Sequence, residues 1–254
     1  MGFKIMIEGD YACFTRPELK VERVSYDVPT PSALEGLLKS IYWKPAIRYC
    51  IDKIIVFNPI EYTTIKRNEV SEKVSLKKVK QKMEDPSVDV EIHITENGPY
   101  RENRDQRSTV LLKNVKYGVE FHFELTGIRC ERENAEGDPE GKHASIIQDR
   151  LELGQHFRMP HLGCREFSVK KITLVDSFDL DCISPEILEL GDFDLGYMLY
   201  GLNFENGGLP KGVKSKNDEW KNPIFSDVAK AIYYHPHMIN GIIDVSKYRK
   251  EQKC

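Results

Sequence analysis

Hydrophobic spacing in this 254-residue chain switches between period two and period 3.6 in the order strand, helix, strand, strand, helix, strand. That order predicts an α+β fold built on a ferredoxin-like split βαβ unit. Beyond Asp176 an acidic stretch leads into short apolar runs punctuated by Gly196, Gly201, Gly207 and Gly208, which predicts an appended antiparallel β module. The chain is therefore divided into a ferredoxin-like domain over 1–176 and a small C-terminal β domain over 177–254.

Phe3 to Glu8 roughly alternates apolar and polar positions and reads as the first strand, ended by Gly9-Asp10. Thr30 then offers an N-cap and Pro31 a first helical position, and Leu34, Leu37, Leu38 and Ile41 form one apolar face. Lys44-Pro45 stops this helix, because proline disfavours helical geometry in the residue before it. Ile47 to Ile60, rich in β-branched and aromatic residues, is a long strand broken at Asp52-Lys53. Lys66 to Lys82 lacks an apolar face and reads as an exposed, mobile insertion before a short strand candidate at Val88 to Ile94. Val115 to Leu125 alternates most clearly of all, with Val115, Tyr117, Val119, Phe121, Phe123 and Leu125 on one face. After the polar loop at Glu136-Gly137-Asp138-Pro139, the spacing of Ala144, Ile147 and Leu151 predicts a second helix ending near Gly154. Val169 to Val175 supplies the last strand of the unit. In an idealised unit of this kind the end of the first helix and the start of the second lie at opposite ends of the sheet, so either the long loops around Tyr42 and His143 close the gap or the role of Tyr42 is indirect.

Composition narrows the classes of function. With 40% hydrophobic and 30% charged residues and a formal net charge of -3, the chain has an ordinary globular balance that excludes disordered, collagenous and mini-protein classes. It contains no apolar run of membrane-spanning length, and the N-terminus MGFKIMIEGDYACF has no apolar signal core, so a cytoplasmic protein with no membrane partner is expected. Cys13, Cys50, Cys130, Cys164, Cys182 and Cys254 form no C-x-x-C pair, which argues for reduced thiols and against a zinc ribbon. Charge is polarised: Lys66 to Lys82 holds seven Lys/Arg against two Glu, while Ile172 to Leu195 holds seven Asp/Glu and no Lys or Arg. The first segment attracts a polyanion and the second repels it. No P-loop, dinucleotide fingerprint or G-x-S-x-G elbow is present, which disfavours ATPase, Rossmann and α/β-hydrolase chemistry.

Several clusters are candidates for chemistry. Lys142 and His143 fall at the start of the second helix, where unpaired backbone N–H groups favour an anion such as phosphate. Lysine brings fixed charge and imidazole moves protons near neutral pH; a merely polar helix start is the competing reading. Tyr42, in Tyr42-Trp43-Lys44-Pro45, is either a core or rim residue or a proton donor or positioner for a phosphate oxygen. His156, His161 and Cys164 lack an evident fourth ligand, and His235-Pro236-His237 reads as two exposed histidines, so no metal site is expected. Basic and aromatic residues interleave at Phe14, Arg16, Lys20, Arg23 and Tyr26 and again at Tyr100, Arg101, Arg104 and Arg107. Such mixtures suit single-stranded RNA, with bases on rings and phosphates on cations, or else are solvated loops.

Three blocks carry a resemblance to a known family: GDYACFTRPELKVERVSYDVPTPSALEGLLKSIYWKPAIR (Gly9 to Arg48), EGKHASIIQDRLELG (Glu140 to Gly154) and HLGCREF (His161 to Phe167). Leu195 to Met198 and Gly201 to Phe204 extend it. Together they resemble the CRISPR-associated Cas5 family of the type I-C (Dvulg) subtype. The resemblance implies a modified RNA-recognition-motif domain followed by a small β domain, in an endoribonuclease that cuts precursor CRISPR RNA within the repeat hairpin. It further implies a metal-independent, cofactor-free attack of a ribose 2′-hydroxyl that leaves a 2′,3′-cyclic phosphate and a 5′-hydroxyl. The protein would then stay on the 5′ handle beside the backbone and large subunits of the interference complex. The family's catalytic tyrosine, lysine and histidine match Tyr42, Lys142 and His143, with His143 as base or acid, Lys142 as charge stabiliser and Tyr42 as positioner or donor. Arg16, Lys20, Arg23, Tyr26, Lys44, Arg104 and Arg107 are the expected RNA contacts. A non-catalytic scaffold that binds the 5′ handle and duplex DNA is the alternative.

Overall fold

The computed structural model describes residues 2–70, 74–90, 104–126, 140–204, 211–214, 220–224 and 228–249. Its elements run β1 (Gly2–Ala12), β2 (Arg23–Val24), α1 (Pro31–Ile41), β3 (Ile47–Val56), β4 (Glu61–Val70), α2 (Leu76–Glu84), β5 (Arg104–Leu125), α3 (Glu140–Glu152) and β6 (Lys171–Leu174). They continue through α4 (Pro185–Glu189), β7 (Asp192–Asp194), β8 (Met198–Phe204), β9 (Lys211–Lys214), β10 (Trp220–Ile224), β11 (Ala229–Tyr234), β12 (His237–Ile239) and β13 (Ile242–Asp244). This is a mixed α/β protein dominated by antiparallel sheet.

The main sheet has the order β6-β1-β5-β3-β13-β12-β7, with every pair along that path antiparallel. α1 connects β1 to β3 and α3 connects β5 to β6; α1 packs on β3 and β8, α3 on β6, and the two helices touch. Strands β7, β12 and β13, all from beyond residue 176, extend the sheet outward from β3. Ile183, Ile187, Met198, Tyr234, Met238 and Ile243 share one core cluster with Ile5, Leu34, Val119 and Phe121.

Local chemistry explains why these elements form. Thr30 caps α1 by accepting a hydrogen bond from the Ala33 N–H, Pro31 occupies the first turn, and Leu34, Leu37, Leu38 and Ile41 are buried as their spacing requires. On β5, Val115, Tyr117, Val119, Phe121 and Phe123 face the core, while Leu125 at the strand's end is exposed. β3 carries its register shift between Ile51 and Lys53, at the predicted break.

Several expected boundaries move. β1 continues past Gly9-Asp10 to Ala12, because Tyr11 and Ala12 keep pairing with Lys113 and Leu112 of β5. β3 ends at Val56 rather than Ile60. The basic stretch is not a structureless insertion: Lys66 to Val70 belong to β4, which pairs with the first half of β5, and Leu76 to Glu84 form α2, none of whose residues is buried. Cross-strand bonding to β5 supplies the order that an apolar face would otherwise have to provide. Val88 to Val90 are not in a strand, and the rest of that candidate lies outside the described residues, as does the loop at 136–139.

Candidate active site and nucleic-acid groove

The end of α1 and the start of α3 lie together, contrary to the expectation of opposite ends. The reason is strand direction: β3 begins shortly after Tyr42 with Ile47 paired to Leu125, the last residue of β5, from which the chain proceeds to α3. Both helix termini are thus at the same end of the sheet.

Tyr42 closes α1. Its N–H donates to the Leu38 carbonyl, its backbone then turns extended, and its own carbonyl accepts from the Tyr49 hydroxyl at 2.8 Å. The neighbouring carbonyls of the last turn are also occupied: Ser40 accepts from the Phe157 and Arg158 N–H groups at 2.9 and 3.1 Å, and Ile41 from Arg150 at 2.5 Å. With these orphan acceptors satisfied, the helix end is rigidly built. The Tyr42 ring is held inward at 4% exposure, with the Arg150 guanidinium 5.3 Å from its centroid.

His143 lies on the inner face of α3 with Ala144, Ile147 and Leu151, at 1% exposure. Its Nδ1 is 2.9 Å from the Tyr42 hydroxyl oxygen, and Phe123 meets the ring edge-on at 6.2 Å. When the imidazole is neutral with its proton on Nε2, Tyr42 donates to Nδ1. Lys142 precedes it in the first turn of α3 and is exposed. The chemistry available is a buried donor–acceptor pair beside a helix start that carries Lys142 together with Glu140.

Tyr42 also forms part of the wall of a groove of about 950 Å³ whose lining includes Lys39, Lys44, Arg150, Arg158, Arg165 and His161 and no acidic residue. Trp43 and Phe157 line it too and are 54% and 76% exposed. Lys39 is paired with Glu35 at 3.1 Å outside the groove, but a lining whose charged side chains are all basic, next to exposed rings, suits a phosphodiester chain whose bases stack. Of the expected RNA contacts, Lys44 lies in this groove.

The others are placed elsewhere. Tyr26 is a core residue at 1% exposure, its hydroxyl accepting from the Leu199 N–H and the Arg16 guanidinium covering its ring at 4.5 Å, so it offers no face to a base. Arg16 is further engaged with the Ser25 carbonyl and Asp27. Arg23 and Arg67 form a network with Glu69 and Glu166, and Arg23 also reaches Cys164 Sγ at 3.6 Å. Lys20 is exposed on the loop before β2, Arg107 pairs with Asp105 at 2.7 Å, and the Arg104 side chain lies outside the described residues, as do Tyr100 and Arg101. Sequence reasoning overlooked Arg150, Arg158, Arg165, Trp43 and Phe157 as groove residues. Arg150 had a signal, since it follows His143 by seven residues and so shares its helix face.

The Cys164 thiol is pulled down to about 6, first by its hydrogen bond with Cys13 and then by Thr15 and the Arg23 guanidinium, against the effect of burial. Cys13 is pushed up in return by that bond and by its burial, and burial lifts Cys50 to about 11. Among the described residues, His156, His161 and Cys164 do not assemble as metal ligands, whereas Cys50, His122 and Glu124 form one group of such atoms and Asp194, His235 and His237 another. In the first group His122 is bonded to Asp52 and Glu124 to Arg48.

An antiparallel sheet carrying helices, with a buried tyrosine–histidine pair whose tyrosine reaches a groove lined by basic side chains, defines a class of α/β protein with acid–base capacity beside a surface suited to a polyanion. The chain belongs to the CRISPR-associated Cas5 family: the family model described as CRISPR-associated protein (Cas_Cas5), of the Cas5d type, matches residues 2–246. A relative from Mannheimia succiniciproducens named CRISPR pre-crRNA endoribonuclease Cas5d is 38% identical over 251 residues, covering 98% of this chain and 96% of its own. Another of the same name from Thermus thermophilus is 34% identical over 259 residues, covering 97% of this chain and 93% of its own. A solved structure described as a CRISPR-associated protein superposes with a TM-score of 0.55 at 20% identity, covering 96% of this chain and 91% of that one. No described helix is long and apolar enough to cross a membrane.

Proposed function

We propose that this protein is an endoribonuclease that cuts precursor CRISPR RNA in the repeat hairpin by metal-independent attack of a 2′-hydroxyl, leaving a 5′-hydroxyl and a 2′,3′-cyclic phosphate. The observation that carries the reading is the Tyr42–His143 hydrogen bond of 2.9 Å at the wall of a groove whose lining holds five Lys/Arg and no acidic residue. The names of the two curated relatives support the same activity and substrate. In the reaction the 2′-oxygen bonds to phosphorus as the phosphorus–5′-oxygen bond breaks. One proton leaves the 2′-hydroxyl and one arrives at the 5′-oxygen. His143 serves as general base or acid, and Tyr42, the member of the pair that lines the groove, positions it and donates across the shared hydrogen bond. Lys142 offsets the charge that builds on the phosphate. The nucleophile is the substrate's own hydroxyl, so a proton acceptor, a proton donor and a cation are the groups the step requires.

The finer architecture we assign is a ferredoxin-like, modified RNA-recognition-motif unit over 1–176 with a C-terminal β module over 177–254. The antiparallel order β6-β1-β5-β3 with helices after β1 and β5 supports it. After cleavage the protein remains on the 5′ handle as a subunit of the type I-C interference complex, in the cytoplasm. The test is incubation of the protein and a His143→Ala variant with cognate repeat RNA in EDTA, alongside RNA with a single 2′-deoxy at the cleavage site. Cleavage of unmodified RNA alone, by the unaltered protein alone, is expected. Binding without any cut would instead favour a scaffold on the handle that also contacts duplex DNA.

A further inference from the structure

At the sheet edge opposite β6, β7 lies antiparallel to β12 with Asp194 facing His237 across the ladder and Asp192 facing Ile239. Residues two apart on a strand share a face, which sets Asp192 and Asp194 on the face of His237, and His235, in the short link between β11 and β12, comes beside them through its contact with Asp194. Each side chain is held. His237 Nδ1 is 2.7 Å from Asp192, and His235 Nε2 is 2.6 Å from Asp194, which also accepts from the Gly196 N–H at 2.7 Å. The His235 ring stacks on Tyr197 at 4.9 Å with an interplanar angle of 14°. Pro236 between the histidines fixes the backbone, and its carbonyl accepts from the Leu195 N–H at 3.1 Å.

Ligand atoms of Asp194, His235 and His237 all lie within 4.8 Å of one another. Among the described residues neither Asp192 nor Asp194 pairs with a lysine or arginine, so with neutral imidazoles the cluster carries two uncompensated negative charges. The Cys50 group differs, because Arg48 and Arg249 already neutralise its surroundings. We propose that Asp194, His235 and His237 bind a divalent transition-metal ion of zinc's class, clamping β7 to β12. Two imidazoles and a carboxylate with a fourth position for water form a zinc-type set, and imidazole ligation selects against magnesium and calcium. Asp192 plays the orienting carboxylate, holding the His237 Nδ1 proton and leaving Nε2 for the ion. On binding, the ion takes the place of the hydrogen bond between His235 and Asp194, and any proton they share is released. The clamp lies two strands beyond β3 and is independent of the cleavage site.

The test uses the full chain, stripped with EDTA and dialysed, and reads zinc uptake by calorimetry and cobalt uptake by visible absorption. One ion per chain, a cobalt spectrum of low coordination number and a thermal midpoint that rises with zinc are expected. His235→Ala and His237→Ala should each weaken binding at least about tenfold, and Asp192→Asn, which keeps all three ligands, about tenfold. Circular dichroism checks that the variants fold, and Cys50→Ser should bind zinc unchanged. No uptake at millimolar zinc by the unaltered protein would overturn the proposal, and so would undiminished uptake by the double histidine variant or dependence on Cys50.

Discussion

Replacing Tyr42 by phenylalanine removes one oxygen and leaves the ring under Arg150, so it removes the hydrogen bond to His143 while keeping the ring packing. Both residues are buried, at 4% and 1% exposure, and water cannot readily replace the lost donor at Nδ1. A buried acceptor stripped of its partner costs about 1–3 kcal/mol. At roughly 2–4 °C per kcal/mol for a chain of this size, the thermal midpoint should fall by about 2–12 °C while the protein stays folded at 25 °C. Cleavage should suffer more, because positioned proton transfer contributes about 10²–10⁴ in rate. Single-turnover cleavage of the cognate repeat RNA under saturating protein gives this number directly. Because the two residues act as one unit, the Tyr42→Phe/His143→Ala double variant should be hardly slower than His143→Ala alone. A Tyr42→Phe enzyme within about threefold of the unaltered rate, a small fraction of the effect expected of proton transfer, would refute the reasoning. Strict additivity in the double variant would show that the bond is structural only.

Other perturbations probe the surroundings. Gly163 has φ +81°, and a Cβ there would stand 1.9 Å from the Cys13 carbonyl oxygen, so Gly163→Ala should cost roughly 3 kcal/mol or more in a urea melt. It should also weaken RNA binding, since His161 and Arg165 of the same loop line the groove; an unchanged melt refutes the packing argument. Replacing Lys77, Lys78, Lys80 and Lys82 of the exposed helix α2 by glutamine should flatten the salt dependence of RNA binding, by about 0.7–0.9 in slope for each phosphate left without its lysine, and an unchanged slope removes α2 from the interface. The Cys13, Thr15 and Arg23 contacts pull the Cys164 thiol below the ordinary thiol range, so its alkylation rate should level off by neutrality while buried Cys50, pushed up by burial, stays inert. A rate still climbing at pH 8, as for an ordinary thiol near about 8.5, would exclude the Cys13 and Arg23 effect.

What was legible in the sequence is what neighbouring residues decide among themselves. Thr30, Pro31 and the leucine face of α1 form a local device, and the alternation from Val115 to Phe123 states which face of β5 is buried before its partners are known. The irregularity at Asp52, a register shift within a continuous β3 rather than a break, was readable for the same reason. Non-local pairing was not readable. Tyr26 looked like a stacking platform among arginines, yet Leu199, 173 residues away, takes its hydroxyl and draws the ring into the core. The lysine-rich stretch looked structureless because β4 gains its order from ladder bonds to β5 and not from an apolar face of its own. The same rule explains the candidate site. Residue types at 42, 142 and 143 suggested phosphate chemistry, but their meeting depends on β5 running opposite to β3, a relation that resides in strand pairing. Arg150 joins the two levels: its place on the His143 face of α3 is periodic, while its bond to the Ile41 carbonyl belongs to the assembled fold. A site built this way holds its geometry through the sheet, so substitutions that loosen the β3–β5 register should impair cleavage even where no site residue is touched.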